Sequence, residues 1–178
     1  MNVENIKSSI RTIPDFPVKG ILFRDVTTLF KNPKALSELS DILYEQYKDR
    51  GITKVVGLES RGFVLGSILA YRLGAGFVLC RKPGKLPAQV VKETYCKEYG
   101  EDSIEIHTDA IGADDVVLIH DDILATGGSI NACCKLVKKF KPKSILVNCI
   151  IELEDLHGVE NIPADVDYSA TLKVSDKL

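Results

Sequence analysis

One stretch of this chain constrains the fold more than any other. An apolar run at residues 116–119 leads, after His120, into the carboxylates Asp121 and Asp122, a small-residue loop and a helical pattern. A short apolar run bounded by turn residues indicates a buried strand, so the two acids are expected at its carboxyl end. The backbone N–H groups of residues 126–129 would then lie at a helix start, where they lack intrahelical partners and attract anions. This order favours a ligand with a phosphate at one end and hydroxyl groups or a metal ion at the other.

Two well-known phosphate-binding motifs do not match this stretch. A P-loop requires a Lys after its last Gly, and Gly128 is followed by Ser129. The G-x-G-x-x-G spacing of dinucleotide-binding folds is also missing. From spacing alone, an ordinary strand–helix turn with Ser129 as the N-cap stays open.

Composition limits the class of protein. The chain has 178 residues, 45% of them hydrophobic, and a net charge of −2, which predicts one globular domain over residues 1–178. That charge argues against a nucleic-acid or anionic-membrane partner. The polar N-terminus is unlike a signal peptide and no apolar stretch reaches membrane-spanning length, so a cytoplasmic location is expected. The five cysteines contain no C-x-x-C pair, and we interpret them as core residues of a reducing compartment.

Strand and helix patterns alternate along the chain. The expected helices are the first dozen residues, a segment that starts after Asn32 and ends at Gly51, and residues 62–73 and 130–140. The expected strands are 54–58, 76–80, 116–119, 144–151 and 168–174, with a hairpin of arms 90–96 and 103–107 around the tip 98–102 and a loop over 13–25. This alternation predicts an α/β fold with a doubly wound, mostly parallel sheet flanked by helices. Ligands bind at the carboxyl ends of such strands, so the loops after residues 58, 80, 119 and 151 should converge.

Two of those loops are rich in cations. Residues 59–63 contain Arg61, and residues 81–87 contain Arg81, Lys82 and Lys85. Taken singly, each could be an ordinary solvated loop. Together they would supply the charge-assisted hydrogen bonds that a pyrophosphate requires.

The chain resembles the type I phosphoribosyltransferases, and among them the adenine-specific enzymes, from about residue 10 to residue 156. Six strings carry the resemblance in the order of that family: 13–17 (IPDFP), 20–25 (GILFRD), 60–63 (SRGF), 81–87 (RKPGKLP), 98–100 (EYG) and 121–129 (DDILATGGS). The resemblance implies transfer of the ribosyl phosphate of 5-phosphoribosyl-1-pyrophosphate (PRPP) to adenine, which gives AMP and pyrophosphate. It also implies Mg²⁺ as cofactor, a homodimer, and a flexible hairpin that closes over the site.

The resemblance also implies roles for individual residues. Residues 125–129 would hold the 5-phosphate, the two aspartates would engage the ribose hydroxyls directly or through Mg²⁺, and Phe23 would stack on the purine. The implied substrate contacts are Leu22, Phe23, Arg24, Arg61, Arg81, Lys85, Asp121, Asp122, Ala125, Thr126, Gly127, Gly128 and Ser129. The implied catalytic residues are Arg61, Lys85, Glu98 and Tyr99, with Glu98 as a hypothetical acceptor of the purine proton.

The choice of base and of activity also follows from the family. Enzymes for 6-oxopurines typically carry an acid where this chain has Ala125, which favours a 6-aminopurine. Another purine base, or a PRPP-sensing regulator without catalysis, remain the alternatives. His120 stands where the family has a small apolar residue, and we expect a packed core histidine, with electrostatic tuning of Asp121 as the alternative. Residues after Leu156 receive no role.

Overall fold

A computed structural model of the chain describes residues 3–96 and 100–175. Its helices are α1 (Val3–Ser8), α2 (Thr27–Phe30), α3 (Pro33–Tyr47), α4 (Gly62–Leu73) and α5 (Gly128–Lys138). Its strands are β1 (Arg11–Pro14), β2 (Leu22–Asp25), β3 (Lys54–Leu58), β4 (Gly76–Cys80), β5 (Val90–Cys96), β6 (Glu101–His107), β7 (Val116–Leu124), β8 (Ser144–Leu153) and β9 (Asp167–Val174). Two 3₁₀ turns, Glu154–Leu156 and Gly158–Asn161, follow β8.

The central sheet has five strands in the order β4-β3-β7-β8-β9. All four neighbouring pairs are parallel. One face packs against α1 to α4 through Leu39, Leu43 and Leu65, and the other packs against α5 and the β5–β6 hairpin through Ile130, Leu136 and Ile106. The predicted doubly wound sheet is therefore confirmed, with β7 at its centre.

Local chemistry explains the helix boundaries. The Asn32 side chain accepts hydrogen bonds from the N–H groups of Lys34 (3.1 Å) and Ala35 (3.3 Å), and Pro33 occupies the first turn. Helix α4 ends at Gly74, whose φ of 65° lies in the left-handed region that glycine adopts readily.

Several sequence predictions were wrong in detail. The first helix, expected over the first dozen residues, ends at Ser8, because Arg11–Pro14 pair with β2 as a strand. Residues 13–25, expected as a loop, contain the end of β1 and all of β2, which pair antiparallel with Ile13 opposite Phe23. The second arm of the hairpin begins at Glu101 instead of residue 103, because Glu101 pairs with Cys96. Strand β7 was expected to end at residue 119 but continues to Leu124, because β8 pairs with it as far as Glu152. The two aspartates therefore lie within the second half of β7, and not beyond its end. Helix α5 covers Gly128–Lys138 instead of 130–140.

The interpretation of the cysteines as core residues is confirmed for four of the five. Cys80, Cys133, Cys134 and Cys149 are buried, and none of the five forms a disulfide within the described residues. The interpretation is wrong for Cys96, which is exposed because it lies at the end of a hairpin arm and not in the central sheet. None of the helices in residues 3–96 and 100–175 combines the length and the apolar character that crossing a bilayer requires.

Candidate active site

A cleft of about 720 Å³ opens at the carboxyl edge of the sheet. It brings together most of the predicted substrate contacts with several residues that had no predicted role. The lining residues are Gly20, Ile21, Leu22, Phe23, Arg24, Glu59, Ser60, Arg61, Asp121, Asp122, Ile123, Ala125, Ser129, Leu153 and Leu156. The loops after β3, β7 and β8 therefore converge as predicted, whereas the loop after β4, also expected here, contributes no residue to the lining of this cleft.

One wall of the cleft is apolar and aromatic. Phe23 packs edge-to-face against Phe16, with ring centroids 5.1 Å apart and an interplanar angle of 73°. Strand β2 that carries Phe23 is held to β1, and the Arg24 guanidinium donates a 2.7 Å hydrogen bond to Thr12 Oγ1. Leu153 and Leu156 complete this wall. No local signal marked these two leucines, because Glu152, Glu154 and Asp155 interrupt the apolar pattern after residue 151.

The acidic pair lies on the floor of the cleft. Asp122 is buried and forms an ion pair with Arg61. Asp121 Oδ1 accepts a 2.9 Å hydrogen bond from the Asp122 N–H. Burial, together with the neighbouring charge of Asp122, raises the pKa of Asp121 well above its usual value. The two side chains thus place carboxyl oxygen atoms close together, where hydroxyl donors or a cation would relieve the crowding of like charge.

Arg61 is placed by a close approach between two backbones. A Cβ on Gly62 would lie 2.7 Å from the His120 carbonyl oxygen, so only glycine lets the start of α4 approach the middle of β7. Burial opposes the charge of Arg61, but the charge and hydrogen bond of Asp122 prevail and raise the pKa of Arg61. The peptide between Glu59 and Ser60, just before Arg61, is cis.

The start of α4 supplies fewer anion donors than expected. The N–H groups of Phe63 and Val64 donate to the carbonyl oxygens of Ser60 (3.1 Å) and Arg61 (3.3 Å). These short-range bonds occupy donors that a helix start would otherwise present to a ligand. On this side of the cleft, side chains must therefore provide most of the recognition.

Two cations of the loop after β4, Arg81 and Lys82, are paired with carboxylates. Arg81 Nη2 lies 2.9 Å from Glu59 Oε1, and the Lys82 N–H donates to Glu59 Oε2 at 3.0 Å. Lys82 also forms an ion pair with Asp102 of β6. Hydrogen bonds from Arg81 and from the Lys82 N–H lower the pKa of Glu59. Arg81 and the exposed Lys85, both predicted substrate contacts, are not among the described residues that line the cleft. The sequence analysis did not predict Glu59 as the partner of Arg81.

The small-residue loop forms a separate hollow of about 90 Å³ between β7 and α5. Gly127 is the N-cap of α5 with φ 81° and ψ −4°, and no side chain caps this helix within the described part of the chain. The first N–H groups of α5 are therefore available to an anion. Ser129 lies inside the helix, so the alternative in which Ser129 is the N-cap is wrong. We call residues 125–129 the phosphate cradle.

The hairpin contacts the phosphate cradle through Tyr95. Its hydroxyl lies 3.2 Å from Ser129 Oγ and donates to Asp102 Oδ2 at 3.2 Å. Gly100, at φ 91°, follows the predicted hairpin residues Glu98 and Tyr99, which lie outside the described residues.

His120 is a core residue, as expected. It is 0% exposed, and Nδ1 lies 3.0 Å from Asn148 Oδ1. Burial lowers the pKa of His120 to about 4, so the ring is neutral at pH 7. Within the described residues Nε2 has no hydrogen-bond partner.

The side chains of the cleft could supply only some of the ligands of a metal ion, and a bound substrate would have to supply others. In residues 3–96 and 100–175 no cluster of three or more His, Cys, Asp or Glu side chains could hold a metal ion. Asp121 and Asp122 offer hard oxygen ligands, which Mg²⁺ uses in ones and twos together with substrate phosphates. The residues present therefore fit such an ion.

Comparisons with known proteins agree with this geometry. The model of the phosphoribosyl transferase domain family matches residues 25–171. An adenine phosphoribosyltransferase of Bacteroides thetaiotaomicron is 61% identical over 172 residues, which cover 97% of this chain and 98% of the relative. The crystal structure of the Rhodothermus marinus adenine phosphoribosyltransferase superimposes with a TM-score of 0.90 at 46% identity, covering 97% of this chain and 98% of that one. The Saccharomyces cerevisiae enzyme, solved with adenine and an imino-altritol bisphosphate, gives 0.89 at 41% identity, covering 96% and 98%.

Proposed function

This chain belongs to the adenine phosphoribosyltransferase family, and from that premise we propose how its cleft moves the ribosyl phosphate of PRPP to adenine. The products are AMP and pyrophosphate. The observation that carries the assignment is the meeting of three features at one sheet edge: the phosphate cradle, the acidic pair and the aromatic wall at Phe23. One phosphorylated sugar joined to a flat base would contact all three.

The phosphate cradle takes the 5-phosphate. Residues at the start of α5 line the hollow, no side chain caps this helix within the described chain, and Thr126 and Ser129 add hydroxyl donors. Backbone donors at a helix start bind a dianion without any added positive side chain. The 5-phosphate would thereby fix one end of the substrate.

The acidic pair takes the ribose. Asp121 and Asp122 accept hydrogen bonds from the 2- and 3-hydroxyls, directly or through the waters of Mg²⁺. When bound, Mg²⁺ neutralises charge on the leaving pyrophosphate. Because Asp122 already contacts Arg61, sugar binding also determines where that guanidinium lies.

The cationic loops take the pyrophosphate. As the bond from C1 to the pyrophosphate oxygen breaks, C1 gains positive character and the leaving group carries the electron pair. Arg61, Arg81 and Lys85 would stabilise that anion, and Arg61 and Arg81 must first leave Asp122 and Glu59. A ring nitrogen of adenine then bonds to C1 and loses its proton, for which Glu98 remains the predicted acceptor, with Tyr99 predicted beside it on the closing hairpin.

The apolar wall takes the base. Phe23 would stack on the purine, and the backbone at Leu22 and Arg24 would contact the edge with the 6-amino group. Ala125 leaves no carboxylate for the ring nitrogen that 6-oxopurine enzymes bind. Adenine is the base found with the Saccharomyces relative, in agreement with this choice.

A direct assay tests the assignment. The protein is incubated with PRPP, Mg²⁺ and each purine base separately, and nucleotide formation is followed by chromatography. Formation of AMP with adenine and of no nucleotide with the other bases supports the proposal. Nucleotide formation only with hypoxanthine or guanine would show instead that the substrate is a 6-oxopurine. Tight PRPP binding without turnover would indicate a sensor. Asp165→Asn, an exposed carboxylate paired with Lys138 away from the cleft, serves as the unaffected control.

Three further properties are proposed on the basis of the resemblance and the composition. These are a single domain, a homodimer and a cytoplasmic location. Light scattering of the purified protein at micromolar concentration tests the dimer, because a monomer of 19.6 kDa and its dimer differ twofold in mass.

A further inference from the structure

The turn Gly158–Asn161, for which the sequence suggested no role, packs directly on the phosphate cradle. A Cβ at Gly158 would lie 2.1 Å from the Ala125 carbonyl oxygen and 3.1 Å from the Gly127 nitrogen. Real Cβ atoms do not approach other atoms to 2.1 Å, so any side chain at this position must displace one of the two backbones.

The contact is reciprocal. A Cβ at Gly127 would lie 2.3 Å from the Gly158 carbonyl oxygen and 3.1 Å from Asn161 Cβ. Gly127 also has φ 81°, a conformation that costs an L side chain energy in any surroundings. Two glycines thus allow two backbones to touch where the helix dipole of α5 begins.

Asn161 orients one peptide of the phosphate cradle. Its Nδ2 donates a 2.7 Å hydrogen bond to the Thr126 carbonyl oxygen. The peptide between Thr126 and Gly127 is trans, so its N–H points away from its carbonyl group. Because the carbonyl group is directed at Asn161, the Gly127 N–H is directed away from Asn161.

The turn is itself anchored. Ile162, the next residue, is buried in the same hydrophobic cluster as Ile130 and Cys134 of α5. The Ile162 N–H donates to the Val159 carbonyl oxygen at 3.0 Å, which closes the turn. The turn and the helix therefore share one packed support, and the phosphate cradle lies between them.

We propose that Gly158 and Asn161 are positioning residues for recognition of the 5-phosphate. They touch the backbone of the phosphate cradle and direct its N–H groups toward the phosphate. This inference rests on the proposed function, since it assumes that the phosphate cradle binds the 5-phosphate of PRPP.

The central test replaces Asn161. Asn161→Ala and the isosteric Asn161→Asp both remove the donor to Thr126, and both are expected to raise the KM for PRPP about 3- to 10-fold, the effect of one neutral hydrogen bond. The kcat and the KM for adenine should stay within about twofold, because the aromatic wall and the cationic loops are untouched. Val159→Ala, in the same turn but 38% exposed, is the matched control and should leave all three constants unchanged.

Gly158→Ala should have the larger effect, at least about 100-fold in ribose 5-phosphate affinity, because backbone must move. If that variant does not fold, as judged by its thermal transition, the Asn161 pair still decides the question. The positioning role would be overturned if both Asn161 variants kept the wild-type KM for PRPP. It would also be overturned if kcat fell, or the KM for adenine rose, by the same factor as the KM for PRPP.

Calorimetry with ribose 5-phosphate separates this inference from the proposed function. A wild-type protein that does not bind ribose 5-phosphate would refute the assignment of the phosphate cradle. A wild-type protein that binds it, with Asn161→Ala and Asn161→Asp binding equally well, would refute only the role of Asn161. Weaker binding by both variants, with Val159→Ala at the wild-type level, supports it.

Discussion

The two anion-facing regions at the carboxyl edge of the sheet are built in opposite ways. The phosphate cradle offers backbone N–H groups held from behind by Gly158 and Asn161, with no side chain capping its helix in the described chain. On the other side, Arg61 and Arg81 are already paired with Asp122 and Glu59. One region is prepared for its anion, and the other must exchange partners to receive one.

The difference has a physical reason. A group that stays bound throughout the reaction gains most from donors that need no rearrangement. Pyrophosphate must leave, and cations that have carboxylate partners of their own can return to them when it departs. We therefore expect binding of the 5-phosphate end to depend on backbone shape, and binding of the pyrophosphate end to depend on charge.

The largest effect should come from a substitution that distorts the backbone of the phosphate cradle. Gly127→Ala places a Cβ 2.3 Å from the Gly158 carbonyl oxygen at φ 81°, and affinity for ribose 5-phosphate should fall at least about 100-fold. Calorimetry measures the affinity, and Gly112→Ala, whose Cβ would meet nothing closer than 3.7 Å, is the control. Retained affinity would mean that the backbone shape of the phosphate cradle is not what binds the phosphate.

A second effect concerns the core behind Arg61, where His120 of β7 packs near Gly66 of α4. The pKa of His120 is lowered from 6.5 to about 4 by burial, so between these values only the unfolded chain binds the proton. The free energy of unfolding should therefore decrease as the pH falls from 6.5 to 4, by roughly 3 kcal/mol in total from this group.

Urea unfolding at several pH values measures that slope. His120→Val should be less stable at pH 7, since Asn148 Oδ1 loses its partner, but its stability should depend less on pH in this interval. His157→Gln, an exposed histidine, should keep the wild-type slope. Identical slopes in wild type and His120→Val would show that His120 is not the group responsible.

The cationic side itself is tested by Asp122→Asn. This change removes the buried charge that holds Arg61, and we expect kcat/KM for PRPP to fall about 10- to 100-fold while affinity for ribose 5-phosphate falls less. Steady-state kinetics and calorimetry give the two numbers. An equal fall in both would contradict the division between the two regions.

The smallest effect should come from Glu59→Gln. Without its charge, Glu59 competes less with pyrophosphate for Arg81, so inhibition by pyrophosphate should become about threefold stronger. Product-inhibition kinetics measures this change. Weaker inhibition would instead mean that Glu59 holds the loop in its binding shape.

Much of this organisation was predictable from local patterns. Apolar runs alternating with helical periodicity indicated β3, α4 and β4 at their observed residues, because such runs are buried on both faces of a parallel sheet. The string at residues 121–129 likewise indicated the phosphate cradle and the acidic pair. The β1–β2 pairing was missed, because Pro14, Pro17 and Gly20 resemble a loop and only the partner strand supplies the hydrogen bonds.

The pairing of charges was also beyond the reach of sequence reasoning. Arg81 and Glu59 are 22 positions apart, and Arg61 and Asp122 are 61 apart. Their proximity depends on which strands are neighbours and on where each strand ends, which a local pattern does not contain. Predicted roles for Arg81 and Lys85 therefore remain predictions, although the charges themselves were evident.

By itself, the sequence determined the chemistry of this protein: a helix start with small residues, two acids beside it, cations on two loops and an aromatic residue before them. Those features depend on residue type and on short spacing along the chain, and neither changes with the way distant segments pack. Only the tertiary structure decided that Gly158 and Asn161 contact the phosphate cradle and that Arg61 and Arg81 have carboxylate partners. Contacts between distant segments depend on the packing of the whole chain, and packing is a property of the folded molecule.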